Sequence, residues 1–210
     1  MHRRTLLTLA AAAAILPVIP GVAQEPRQLT PEEIQLIRDI GAHNSAIRTM
    51  VGRFLQIDTR GQRIEGTFYL ERPSKIRFRY NPPSREEILS VGSGFYVIDR
   101  KERTQYVYPQ DRVPLRQFLN SNIDFLKSNI IGYSQSDSYV TLVLSDDTPI
   151  GTVEVQLIFD IETKDLSQWT LKEPNGSELT FSLYDVEKDV TIPKSYFFLD
   201  PTYRAVEPKT

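Results

Sequence analysis

The sequence predicts a mainly β protein of the α+β class, in which about eleven antiparallel strands surround an apolar interior with help from a few helices. Two observations predict it. Successive stretches alternate apolar and polar residues with a period of two, as strands with one dry and one wet face do. Val153, Val155, Leu157 and Phe159 oppose Thr152, Glu154, Gln156 and Ile158; Leu179, Phe181 and Leu183 oppose Thr180, Ser182 and Tyr184. Helical patterns, by contrast, are few. Eleven one-sided strands carry more apolar surface than three helices cover by lying flat, so the sheet must curl on itself, as barrels do. A curled sheet with a partial helical plug leaves a ligand cavity.

The chain opens with a leader. His2-Arg3-Arg4 is a basic start, Leu6 to Ile19 is an apolar run too short for a membrane span, and Gly21-Val22-Ala23 offers small residues for cleavage. Residues 1–23 are expected to be a signal peptide cut after Ala23, and 24–210 a single domain. Cleavage removes Arg3 and Arg4 from the 25 basic residues and leaves the 27 acidic ones in excess, which argues against a nucleic-acid surface. The chain has no cysteine, so disulfides, thiol nucleophiles and a lipid-modified N-terminal cysteine are all excluded. An exported chain without disulfides points to a bacterial periplasm.

Leu29-Thr30-Pro31-Glu32-Glu33 starts a helix: Thr30 is the N-cap, Pro31 suits the first position and Glu33 completes a capping box. The helix buries Leu36, Ile37, Ile40 and Ile47 and should end near Arg48 to Met50, although Gly41 weakens it. Six strands follow, over 51–58, 62–72, 75–81, 86–91, 95–100 and 104–108. Short helices are expected over 114–119 and 123–127. Strands resume over 130–136, 139–144, 151–161, 166–173, 178–186 and 195–199. Asp146-Asp147-Thr148-Pro149 and Pro174-Asn175-Gly176 read as turns, and the tail after Pro201 as loose.

The second and third strands carry the anomaly. Ile64, Gly66, Phe68, Leu70 and Arg72 share one face of the second strand; Ile76, Phe78 and Tyr80 share one face of the third, with Lys75, Arg77 and Arg79 on its wet side. Arg72 therefore falls on the dry face, where an unpaired charge is costly. Catalytic patterns are weak by comparison. His43 is the one histidine after the leader, on the apolar side of the helix, with no cysteine for a metal site and no nucleophile elbow. Glu32-Glu33 serves a helix start, Glu86-Glu87 point to opposite faces of a strand, and Gly92-Ser93-Gly94 is a hairpin turn. No catalytic residue, metal site or cofactor is expected.

The stretch Gly-Thr-Phe-Tyr-Leu-Glu-Arg-Pro-Ser-Lys-Ile-Arg-Phe-Arg-Tyr-Asn-Pro-Pro, residues 66–83, resembles the Arg-Pro signature of the LolA-type periplasmic carriers of outer-membrane lipoproteins. Phe54-Leu55-Gln56, Ile88-Leu89-Ser90-Val91-Gly92, Ile98-Asp99, Tyr108-Pro109 and Pro114-Leu115 extend the resemblance, which is best between about Val51 and Leu119. It implies an incomplete antiparallel β-barrel whose mouth is closed by a helical lid over a cavity for acyl chains. It implies a non-enzymatic, monomeric carrier of acylated lipoproteins, working between an inner-membrane release transporter and an outer-membrane acceptor. The family's functional arginine matches Arg72; a lining position usually aromatic is here Ile76. The expected ligand-binding set is Arg72, Phe54, Ile64, Phe68, Leu70, Ile76, Phe78, Tyr80, Leu89 and Val91. The expected lid set is Ile37, Ile40, Leu115, Phe118 and Leu119. The alternatives are a related half-barrel that binds or senses another lipid, and a periplasmic hydrolase.

Overall fold

A computed structural model describes residues 28–114, 116–148 and 151–206. The expectations for the leader, for Leu115 and for Pro149 lie outside the described residues.

Helix α1 (Pro31–Ala46) starts as its sequence requires. Thr30 Oγ1 accepts from the Glu33 amide and the Thr30 amide donates to Glu33 Oε2, closing the capping box behind Pro31. It stops short of the expected end: Ile47 is already extended, because the first strand begins at Thr49. Gly41 has a packing reason, since a Cβ there would sit 2.7 Å from the Ile123 carbonyl oxygen. The helix thereby lies close against the 123–127 segment.

Twelve strands are present among the described residues; eleven match expected stretches, and the twelfth lies at 204–206 rather than at 195–199. They are β1 (Thr49–Asp58), β2 (Arg63–Glu71), β3 (Lys75–Tyr80), β4 (Glu86–Val91), β5 (Gly94–Asp99), β6 (Thr104–Pro109), β7 (Asn129–Gln135), β8 (Tyr139–Thr148), β9 (Gly151–Asp160), β10 (Leu166–Lys172), β11 (Glu178–Lys188) and β12 (Arg204–Val206). They form one sheet in the order β12-β6-β5-β4-β3-β2-β1-β11-β10-β9-β8-β7, antiparallel throughout except where β12 joins β6. The two ends do not meet, so the sheet is an open, strongly curled half-barrel. Single 3-10 turns at Gln110–Arg112, Arg116–Leu119 and Phe125–Lys127 run across its concave side.

Three expectations need correcting. Asp146, Asp147 and Thr148 are not a turn; they extend β8 and pair with Val153, Thr152 and Gly151. Residues 195–199 are not a strand; Lys194–Phe197 is a 3-10 turn lying on the convex face. The tail is not loose, since Arg204–Val206 pairs with β6.

The convex face is therefore not simply wet. Leu89, Ile98, Ile192 and Phe197 form a second, smaller core there, with Val51, Tyr69, Val91 and Tyr96 packed against it. Arg77, assigned to the wet side of β3, is covered by the same segment. Its Nη1 donates to the Tyr196 carbonyl at 2.6 Å and its Nε to Glu87 at 2.5 Å. Glu87 is 2% exposed and has Arg79 and Arg100 within 4.0 Å as well. The larger core fills the concave side beneath α1 and the 3-10 turns.

Candidate functional site: an apolar cavity under a roof fastened by Arg72

The concave faces of β2 and β3 carry the pattern read from the sequence. Phe68 pairs with Phe78 and Leu70 with Ile76, so these side chains stand side by side on one surface. The far half of the sheet answers with Trp169 and Leu171 of β10 and Leu179, Phe181 and Leu183 of β11. Phe78 joins the two halves. Its ring lies 5.9 Å from Trp169 and 5.7 Å from Phe181, although three strands separate β3 from β10 in the sheet. That contact exists only because the sheet curls. Trp169 stacks on Phe181 at 4.7 Å with an 11° interplanar angle.

Between these walls lies a cavity of about 190 Å³, roofed by Val113, Pro114, Arg116, Phe118 and Leu119. Its lining is almost wholly apolar, with Gln110 and Arg116 the polar exceptions. Of the expected residues, Phe68, Leu70, Ile76, Phe78, Phe118 and Leu119 line it. Phe54, Ile64 and Tyr80 belong to the same core, away from the lining. Burial raises the Tyr80 hydroxyl pKa, with the charge of Glu86 adding to it; the hydroxyl donates to Gln56 Oε1. Ile37 and Ile40 are fully buried on the inner side of α1 and are not among the cavity's lining residues. Leu89 and Val91 are displaced from their expected place. Ile88 is the β4 residue opposite Phe78, so strict alternation sends Leu89 and Val91 to the convex core.

Arg72 follows directly after β2 and keeps its register, which carries it into the interior, 2% exposed. Its Nη1 donates to the Ile47 carbonyl at 2.7 Å and its Nε to the Phe118 carbonyl at 3.0 Å. The guanidinium carbon sits 4.7 Å from the Phe118 ring centre. One cation thus ties the end of α1, where the helix dipole favours positive charge, to the roof. Burial lowers its pKa to about 10, which still leaves it charged at neutral pH. The next turn adds to the fastening: the Ser74 amide donates to the Leu119 carbonyl at 2.9 Å, and Gln110 Nε2 donates to the Ser74 carbonyl at 2.8 Å.

A second set of contacts holds α1 at its C-terminal half. His43 Nε2 meets Asp165 Oδ1 at 2.7 Å, and Lys188 Nζ lies 2.7 Å from both carboxylate oxygens. Burial pushes the Asp165 pKa up, and the Lys188 and His43 contacts outweigh it, so the net shift is downward. Asn44 Nδ2 donates to the Lys164 carbonyl and Ser45 Oγ accepts from the Ile123 amide. His43 is committed to this tether and does not line the cavity. Among the described residues no three His, Cys, Asp or Glu side chains cluster as metal ligands, and no helix is long and apolar enough to cross a membrane.

The family model described as outer membrane lipoprotein carrier protein LolA matches residues 45–200. This chain belongs to the LolA family. The match runs from the last turn of α1 past the convex 3-10 turn, and so takes in Arg72 and both cavity walls. Members of this family are periplasmic binding proteins rather than enzymes. No curated protein matches the chain. Among solved structures, an uncharacterized conserved protein from Thermus thermophilus is similar at 8% identity and a TM-score of 0.49, over 83% of this chain and 98% of its own. A LolA superfamily protein from Nitrosomonas europaea is similar at 9% identity and 0.46, over 78% and 97%. A DUF1329 family protein from Desulfovibrio piger is similar at 10% identity and 0.48, over 79% and 97%.

Proposed function

We propose that this protein is a periplasmic carrier that shields the acyl chains of lipoproteins between the inner membrane and the outer membrane. The observation that carries the reading is the buried arginine holding a roof over an apolar cavity. A buried cation with hydrogen bonds to two carbonyls is a poor way to gain stability, since an apolar residue of similar size often does as well or better. It is a good way to make a closed state that can be undone.

The apolar lining supports the same reading. Each exposed methylene costs about 0.8 kcal/mol in water, so acyl chains need a dry carrier. The cavity of about 190 Å³ offers such a lining beneath the roof. A chain that enters by lifting the roof breaks the bonds from Arg72 to Ile47 and Phe118. Hydrogen bonds to a charged group contribute about 1.5–3 kcal/mol net, so the closed roof opposes retention by about that amount and makes the grip reversible. The inner-membrane transporter that loads the carrier and the outer-membrane acceptor that unloads it are parts of this proposal, as are a monomeric state and a chain that starts at Gln24 after export.

The test is competition. A fluorescent hydrophobic probe should bind saturably and be displaced by an acylated peptide, while the same peptide without its acyl chain should not compete. Equal competition by both peptides would end the acyl-carrier reading. Loss of an esterase activity on changing His43 would favour a hydrolase instead.

A further inference from the structure

The two ends of the sheet are finished differently. β12 is three residues long and carries Arg204. β7 is seven residues long, Asn-Ile-Ile-Gly-Tyr-Ser-Gln, with neither a charge nor a proline. Short strands, charges and prolines are how sheet edges avoid pairing with other chains. β7 has only an irregularity between Ile130 and Gly132, and Ile131 is 43% exposed. One side of β7 pairs with β8; among the described residues no strand pairs with the other. Such an edge is a template for an extended chain.

This edge begins at the cavity mouth. Arg116, in the roof, lines both the apolar cavity and an adjoining cleft of about 630 Å³. It is held there by Asp146 of β8, with Nη1 at 2.5 Å from Oδ2 and Nη2 at 3.1 Å from Oδ1. The cleft wall continues through Gln117, Ser128 and Asn129, and Asn129 is the first residue of β7. Arg116 and Lys127 are balanced in the cleft by Asp146 and Asp147, and the remaining polar lining is amide and hydroxyl. That balance suits an uncharged polypeptide backbone better than an anionic head group.

We infer that the peptide following an acylated residue leaves the cavity past Arg116, crosses this cleft and adds to β7 as a further strand. The inference rests on the carrier reading above and adds what kind of cargo the mouth selects. A chain acylated at its N-terminal residue runs outward from the mouth in the direction Asn129 to Gln135, and so lies parallel to β7. The acyl chains supply affinity that any lipid of equal length would share. The backbone bonds to β7 supply preference for a lipidated polypeptide over a free lipid.

The experiment compares four probes with one palmitoyl chain: palmitate, palmitoyl-lysophosphatidylcholine, a palmitoylated Gly-Ser hexapeptide, and that hexapeptide N-methylated at alternate amides. Dissociation constants are measured together with amide hydrogen exchange across 129–135. The hexapeptide should bind roughly tenfold tighter than palmitate, which is about 1.4 kcal/mol. N-methylation should erase that gain, and only the unmethylated peptide should slow exchange in β7. Equal binding by all four probes with unchanged exchange overturns the edge proposal and leaves the carrier reading standing. Tightest binding by the phosphocholine lipid also overturns it, assigning the cleft to a lipid head. Failure of every palmitoyl probe to bind overturns the carrier reading and this inference together.

Discussion

The guanidinium of Arg72 lies over the ring of Phe118, 4.7 Å from its centre, and its Nε donates to the carbonyl of the same residue at 3.0 Å. One roof residue is thus held by both its side chain and its backbone. Burial lowers the Arg72 pKa from the ordinary arginine range to about 10. The folded state therefore releases this proton more readily than the unfolded chain. Any pH-linked change in stability from Arg72 is confined to alkaline pH, from about 10 up to the ordinary arginine range, where the unfolded chain binds more protons and stability rises with pH. Arg72 stays charged below that window. Ligand release should then show no pH dependence attributable to Arg72 between about pH 5 and pH 8. Dissociation rates of an acyl probe, compared in wild type and Arg72→Leu across that range, should change in parallel.

Asp165 gives a pH dependence of the same sign, in an acid window. Its folded pKa is lowered, so its contribution is present above the ordinary carboxylate pKa and is lost as pH falls through the folded value. Asp165→Asn should lower stability by about 1 kcal/mol at neutral pH, as a partly exposed pair with two partners would. The difference from wild type should shrink progressively as pH falls below the usual carboxylate range and through the lowered folded value. Urea unfolding at neutral pH and across a series of acid pH values measures this; an undiminished difference at acid pH would show that His43 and Lys188 do not depend on the carboxylate charge.

Leu89 and Phe78 separate the two cores. Both are buried, Leu89 in the convex core and Phe78 in the cavity wall. Each change to alanine should cost about 2–5 kcal/mol of stability. Only Phe78→Ala should also change probe affinity, with Leu89→Ala binding as wild type does under conditions where both stay folded. Titration of a hydrophobic probe into each variant decides the matter.

Trp169 is the single tryptophan of the chain and lines the cavity, stacked on Phe181. Its emission should shift when an acyl ligand enters, with no label needed. Phe181→Ala should remove the stack and alter the spectrum before ligand is added. An unchanged emission on saturating ligand would place the chain elsewhere.

The legible parts of this protein are those where the two faces of a strand differ in polarity. β2 and β3 meet that condition even though Tyr69 and Arg77 are covered on the convex side, so the period of two placed Phe68, Leu70, Ile76 and Phe78 on one surface and carried Arg72 inward. β4 does not meet it. Ile88 faces the cavity, while Leu89 and Val91 pack under a segment about a hundred residues further along the chain. Apolar residues on both faces hide the register, and nothing local announces a distant cover. The same segment explains why Arg77 looked solvated and is not: its partners, Glu87 and the Tyr196 carbonyl, come together only in the fold. Leu179, Phe181 and Leu183 showed their apolar face in the sequence, yet their place opposite Phe78 depends on how far the sheet curls. Asp146-Asp147-Thr148 has turn chemistry, and Asp146 stands in a strand where Arg116 of the roof pairs with it.

The central claim is that Arg72 holds the roof closed against a chain in the cavity, and the dissociation rate of a labelled acyl ligand from Arg72→Leu tests it most directly. The substitution strands the Ile47 and Phe118 carbonyls in the closed state, at about 1–3 kcal/mol for each buried group, and adds apolar surface to the interior. Both effects favour the open, loaded form. Arg72→Leu should load normally and release its ligand at least tenfold more slowly than wild type, since about 1.4 kcal/mol suffices for that factor. Release as fast as wild type from a normally folded Arg72→Leu protein would contradict the account.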